Sequence, residues 1–252
     1  LKIIYIGAFL ITIITTPWVN SDALIIPKLI LLVALGSYFL PIIIVKYKSF
    51  IKNSRLKILI IISILFTIQM VLVMVSSEAP FEQEFFGRTG RGLGFLTYFS
   101  LLIVMLAVAL NIKYYDIEKF SLWILLSALF SSMYSIMQFF GVDFADWRTQ
   151  TNGIIGTIGN PNFQSSFVAL AFFPSLIYLW KKKLKIFFII SMLIFLYTLY
   201  ICESTQGYVA LITSTFIYLL FKLWFSKKHI LFYLTGIGFL ATAIISSFWN
   251  VK

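Results

Sequence analysis

Nine apolar stretches, most of them about as long as a bilayer is thick, decide which folds are open to this chain. They run near residues 3–19, 24–45, 58–76, 93–112, 121–141, 163–180, 186–203, 208–225 and 230–249. A helix crossing the hydrocarbon core needs ~20 predominantly apolar residues. Nine such helices use roughly 180 residues and leave about 72 for loops, which a chain of 252 supplies. The runs are continuous, not alternating, so a membrane β-barrel is excluded. Composition agrees: 61% of residues are hydrophobic and 12% charged, against roughly 45–50% and ~25% in a soluble domain. A soluble globule of this make-up could not cover its own surface with polar groups. The expectation is an all-α, polytopic transmembrane bundle of about nine spans, one domain over residues 1–252, with no internal repeat or linker.

The net charge of +11 suggests a nucleic-acid partner only until the charges are placed. They recur between apolar segments, as topology signals do, and not along one face. One set of loops holds Lys46, Lys48, Lys52, Arg55 and Lys57, then Lys113 and Lys119, then Lys181, Lys182, Lys183 and Lys185, then Lys222, Lys227 and Lys228. With Lys2 that is fifteen of the twenty basic residues. The opposite set holds Arg88, Arg91, Arg148 and Lys252, and Lys28 lies near the start of the second stretch. The positive-inside rule therefore predicts a cytoplasmic N-terminus. The first stretch has the outline of a signal peptide, but it runs into Pro17-Trp18 without a small-residue cleavage site and is read as a span. Trp18, Tyr47, Trp147, Trp180, Trp224 and Trp249 fall near span ends, as interfacial aromatics do. The single cysteine, Cys202, sits in an apolar run and allows no intrachain disulfide. His229, the single histidine, follows two lysines and reads as a solvated loop residue. No metal-ligand spacing, P-loop or dinucleotide fingerprint occurs.

The far-side loops 77–92 and 142–162 carry the remaining chemistry. The first reads SEAPFEQEFFGRTGRG, with Glu78, Glu82 and Glu84 ahead of Arg88 and Arg91. Positive residues on this side oppose the topology rule. Either they pair with the three glutamates, or they hold a phosphate or carboxylate through the planar guanidinium fork. The second loop reads VDFADWRTQTNGIIGTIGNPN and carries Arg148. Ile154, Ile155 and Ile158 should fold this loop back against the bundle, because apolar side chains need burial. Asn162 is expected to cap the sixth span, whose first amides then favour an anion; the bland alternative is a turn and cap with no ligand. Glu203, at the end of the seventh span, reads as a proton carrier, an arginine partner or a carboxylate exposed at the interface.

Taken in order, Pro27-Lys28, the FFGRTGRGLGFLTYFS stretch from Phe85 and GTIGNPNFQSSFVAL from Gly156 resemble the O-antigen ligase and polymerase superfamily of bacterial membrane glycosyltransferases. Members often carry Gly-(Thr)-x-Gly-Asn-Pro-Asn at the last position, followed by small residues entering a helix. The resemblance implies a multi-pass protein of the bacterial plasma membrane. Its donor is a glycan on undecaprenyl pyrophosphate, bound at the periplasmic face. The hydroxyl of a lipid or glycan acceptor attacks the anomeric carbon, and the lipid pyrophosphate leaves. No metal and no cofactor are implied. Arg88, Arg91 and Arg148 would then bind the pyrophosphate as charge builds on it, with Asn160 and Asn162 at the edge of the site. Gln206 occupies the turn where members often have Ser-Arg-Gly; here it reads Thr205-Gln206-Gly207. The family's large periplasmic loop with its functional histidine lies further along, so the catalytic residues are expected beyond residue 252. The chain reads as the N-terminal membrane portion of a longer enzyme. Ligation to a lipid core, chain polymerisation and protein O-glycosylation share this chemistry. The competing classes are a multi-pass transporter or lipid-linked glycan flippase, which predicts inverted repeats or broken mid-span helices, and a structural subunit with no site.

Overall fold

The computed structural model describes residues 2–18, 23–88, 90–111, 114–144, 147, 153–181, 185–226 and 230–236. It is all-helical, with no strand among the described residues. In chain order the helices are α1 (Lys2–Ile13), α2 (Ile25–Val45), α3 (Tyr47–Lys52), α4 (Ser54–Ser76), α5 (Phe81–Phe86), α6 (Phe95–Asn111), α7 (Tyr114–Phe139), α8 (Pro161–Lys181), α9 (Lys185–Ile201) and α10 (Thr205–Phe225). Residues 230–236 are also helical.

Two apolar cores organise them. In the first, Ile4 of α1 meets Leu35, Phe39 and Ile43 of α2 and Ile103, Leu106 and Ala107 of α6. In the second, Leu125 and Ala128 of α7 meet Val168, Ala169 and Ala171 of α8 and Phe188, Phe195 and Leu199 of α9. Helix α4 packs on the α6 side and α10 on α8. The cores are joined where α1 crosses α7, with the Phe9 and Trp123 rings edge to face at 5.7 Å. Small residues set how closely the helices approach: a Cβ at Gly36 would stand 3.3 Å from the Ser100 backbone of α6.

Among the described residues four helices are long and apolar enough to cross a membrane: α2, Leu56–Ser76 of α4, Ile117–Phe139 of α7, and α10. Large side chains such as Ile62, Leu65 and Leu72 of α4 and Ile212 of α10 are more than half exposed. Hydrocarbon can solvate such faces and water cannot without cost. Of the nine apolar runs, four thus form helices among the described residues that meet both the length and the apolarity of a full crossing. Helices α1, α6 and α9 are apolar but have 12, 17 and 17 residues. At 1.5 Å per residue they reach roughly 18–26 Å, short of a ~30 Å hydrocarbon core. Helix α8 is long enough but opens with a polar turn, Asn162, Gln164, Ser165 and Ser166, and contains Pro174. The stretch near 230–249 lies outside the described residues after 236.

Candidate functional site

The first turn of α2 is the meeting point of loops 77–92 and 142–162. On one side lies a closed loop, Gly87 to Gly94, that leaves α5 and re-enters at α6. Its neck is a backbone crossing: a Cβ on Gly87 would overlap the amide nitrogens of Leu93 and Gly94, and one on Gly94 would overlap the Gly87 nitrogen. Gly87 also lies at φ +93°, where an L side chain is strained. Inside the loop the Arg88 carbonyl accepts the amides of Arg91 at 2.9 Å and Gly92 at 3.1 Å. The Thr97 hydroxyl donates to the Gly92 carbonyl and ties the loop to α6. The loop packs on α2 so tightly that a Cβ at Gly92 would stand 2.7 Å from Ile25 Cγ2. Arg88 and Arg91 are exposed on it. Among the described residues neither forms an ion pair with Glu78, Glu82 or Glu84; Glu84 instead accepts the Ser77 hydroxyl at 2.9 Å.

On the other side of the same turn lies the Gly153–Asn160 segment. Ile155 is 3% exposed and Thr157 2%, while Ile154 and Ile158 are half-buried. This part of the loop does fold back against the bundle. The Lys28 ammonium of α2 donates to the Thr157 carbonyl, and a Cβ at Gly159 would stand 2.8 Å from Leu24 Cδ1. The Gly156 amide donates to Gln138 Oε1 at 2.9 Å. Beneath the segment, Ser131 Oγ lies 2.6 Å from Thr157 Oγ1 and 2.8 Å from the Gln164 side-chain amide. Thr157 Oγ1 in turn lies 2.8 Å from the Thr12 carbonyl of α1. Three contacts need three protons, and the two hydroxyls own two. With Gln164 Oε1 toward Ser131, the chain is one proton short and the buried Nε2 has no acceptor. Turning the amide by half a rotation supplies the third proton as Nε2–H to Ser131 and leaves the cheaper orphan, a carbonyl oxygen. The chain then runs Gln164, Ser131, Thr157, Thr12, linking α8, α7, the loop and α1.

At the start of α8 the structure corrects the expected cap. Asn160, not Asn162, precedes the helix: its Oδ1 accepts the Asn162 amide at 2.9 Å and its carbonyl accepts the first helical amide, Gln164, at 2.8 Å. Pro161 is the first helical residue, where its missing N–H costs nothing and its fixed φ suits the helix. Asn162 is freed to accept the Ser204 hydroxyl at 2.7 Å, pinning the α9–α10 turn to α8. Gly207 completes the contact, since a Cβ there would stand 2.6 Å from Ser165 Cβ. Gln206 lies exposed in the first turn of α10. Glu203 is exposed too, at φ +49°, a left-handed residue ending α9.

The sites read from the sequence thus fall into two groups. Arg88 and Arg91 share the closed loop against α2; Asn160, Asn162 and Gln206 share the α8–α10 corner. Arg148 lies outside the described residues. Two features escaped sequence reasoning. One is the Lys28 contact, whose partner lies 129 residues away. The other is a polar cluster at the end of α7, where Asp143 accepts the Tyr134 hydroxyl and the indole N–H of Trp147 at 3.1 Å, with Gln138 Nε2 at 2.9 Å. Gln138 at i+4 from Tyr134 was its only local signal. Between α2 and α6 the closed loop also roofs a cavity of about 470 Å³, lined by Ile25, Ile26, Leu29, Ile30 and Val33 of α2 and by Phe86, Gly87, Arg88, Gly92 and Leu96. Chemically, the arrangement offers Arg88, with no carboxylate partner among the described residues, beside an apolar groove, which suits an anionic amphiphile. No protein-family model, curated protein or solved structure matches the chain.

Proposed function

We propose that this chain acts as a membrane glycosyltransferase of the O-antigen ligase and polymerase type, working on a glycan carried by a polyprenyl pyrophosphate. One observation carries the reading. The three segments on which the resemblance rests, scattered over residues 27–170, converge on the first turn of α2 through the contacts Ile25 to Gly92, Leu24 to Gly159 and Lys28 to Thr157. Convergence of distant segments is what a shared site requires and what a set of independent loops does not. At that point Arg88 and Arg91 have no carboxylate partner among the described residues. Transfer would proceed by attack of an acceptor hydroxyl on the anomeric carbon, with the C–O bond to lipid pyrophosphate breaking. The arginines stabilise the charge left on the pyrophosphate; Asn160 and Asn162 hold the neighbouring corner, and Arg148 is the third cation of the reading.

The experiment is glycan transfer by the full-length protein carrying Arg88→Ala, Arg91→Ala or Arg148→Ala at matched membrane levels. A charge-assisted contact contributes roughly 1.5–3 kcal/mol, so each loss should slow transfer about 10- to 150-fold if the contact forms in the transition state. Arg→Lys keeps the charge but not the fork and should restore part of the rate. Normal transfer by all three alanine variants refutes the reading.

The same proposal places the protein in the bacterial plasma membrane with nine crossings and a cytoplasmic N-terminus, on the strength of the fifteen basic residues on one side against four on the other. In a background without Cys202, Asn53→Cys should stay protected from an impermeant thiol reagent in intact cells while Thr151→Cys reacts. Labelling of Asn53→Cys reverses the orientation.

A further inference from the structure

We propose that the elbow joining α2 to α4 is a binding surface for anionic phospholipid, formed by Lys48, Lys52 and Lys57. It lies at the other end of α2 from Arg88 and does not rest on the glycosyltransferase reading. From Ala23 to Ser77 the chain carries no acidic residue, while Lys46, Lys48, Lys52, Arg55 and Lys57 crowd into the connection between two spans. Lys48 and Lys52 stand at i and i+4 along one side of α3, and Tyr47 and Ile51 at i and i+4 along the adjoining side. The extended backbone of Asn53 separates α3 from α4, and α3 packs back on α4. Helix α2 ends at Val45 and the apolar run of α4 starts at Leu56, so α3 sits at the level of the membrane surface. Lys46 is engaged within the protein, donating to Asn111 Oδ1 of α6 at 3.1 Å. Lys48, Lys52 and Lys57 are exposed and have no carboxylate partner among the described residues.

The apolar neighbours decide what answers these charges. Val45 is 81% exposed and Ile51 58%. Ile58, Ile62 and Leu65, spaced i, i+4 and i+7, continue an uncovered apolar stripe down α4 from Lys57. A free phosphate would neutralise the lysines and leave Val45 and Ile51 in water. A soluble acidic protein would have to displace the headgroups to reach them. A zwitterionic lipid would cover the apolar residues and bring no net charge. An anionic phospholipid does both: its phosphate meets the ammoniums, and its acyl chains lie along the α4 stripe. Two lysines one turn apart, with Cβ atoms roughly 5–6 Å from each other, can share one phosphate. Apolar and basic sides in one short helix are also what hold an interfacial segment in the headgroup layer.

The test uses the full-length protein in phosphatidylcholine nanodiscs containing a phosphatidylglycerol with a diazirine on one acyl chain. Crosslinks should gather on α3 and on the Ile58–Leu65 stripe of α4. Unlabelled phosphatidylglycerol should compete for them better than phosphatidylcholine. Each of Lys48→Gln, Lys52→Gln and Lys57→Gln should weaken phosphatidylglycerol binding at the elbow about 5-fold, and the triple variant roughly 100-fold. Lys→Arg at the same positions keeps the charge and should restore it. Lys222→Gln, an exposed lysine in the last turn of α10, should leave the elbow crosslinks unchanged. All four lysines are exposed, so the fold is not threatened, and an unchanged SDS midpoint verifies that. Equal competition by the two lipids, or crosslinks that survive the triple variant, would overturn the proposal. So would a loss in Lys222→Gln as large as in the elbow variants, which would make the effect one of overall charge. Displacement of the probe by polyglutamate as effectively as by unlabelled phosphatidylglycerol would give the surface to an acidic protein and equally overturn it.

Discussion

Replacing Gly156 by alanine measures how tightly the Gly153–Asn160 segment is held. Gly156 lies at φ +55°, where an L residue costs roughly 1–2 kcal/mol. Its added Cβ would also stand 2.7 Å from Ser135 Oγ and overlap the Gln164 side-chain amide. Ser135 and Gln164 are fully buried, so neither can swing into solvent, and overpacking of such a site costs typically 1–3 kcal/mol. The sum is about 2–5 kcal/mol. Gly141 is the control: its φ is +73° but nothing lies within 4 Å of where its Cβ would be. Gly141→Ala should therefore lose only the backbone part, about 1–2 kcal/mol. The gap between the two variants isolates the packing contribution, about 1–3 kcal/mol, or roughly 5- to 150-fold in the folded-to-unfolded ratio. Both purified full-length variants would be titrated with SDS from mild micelles, following tryptophan fluorescence and ellipticity. Equal SDS midpoints for Gly156→Ala and Gly141→Ala would refute the packing argument.

Two further outcomes follow from the same network. Lys28→Met removes the ammonium that grips the Thr157 carbonyl, a contact to a charged group contributing roughly 1.5–3 kcal/mol; maleimide labelling of an Ile158→Cys reporter should rise about 10- to 150-fold if opening limits it, and an unchanged labelling rate counts against the tie. Gln164→Glu keeps the shape but presents a carboxylate where the proton count demands an N–H, so it should lower stability by at least about 1–3 kcal/mol in the same SDS titration. A neutral outcome would show that Gln164 accepts from Ser131 instead of donating to it.

The helices themselves could be read locally. A run such as Leu56–Ser76 is apolar over its whole length, and a backbone surrounded by hydrocarbon must satisfy its own hydrogen bonds, which a helix does residue by residue. The candidate site was legible only in pieces. The glycines of loops 77–92 and 142–162 are visible in the sequence, but that Gly87 closes a neck, Gly92 touches Ile25 and Gly156 touches Gln164 depends on chain far away in sequence. The exposed arginines were visible as exceptions to the charge pattern; that Arg88 roofs a groove required α2 and α6 to be side by side.

What the amino-acid order determined alone was the class of fold: continuous apolar runs, punctuated by lysines, specify helices that avoid water. That follows because hydropathy and helix formation are properties of neighbouring residues. Tertiary structure decided the rest. It chose Asn160 over Asn162 as the cap of α8, because Asn162 had a second partner in Ser204 on a different helix pair. It joined Thr157 to Thr12 across 145 residues and to Lys28 across 129. Buried polar groups must find partners wherever packing delivers them, and packing sums contacts over the whole chain, so no local pattern encodes the pairing.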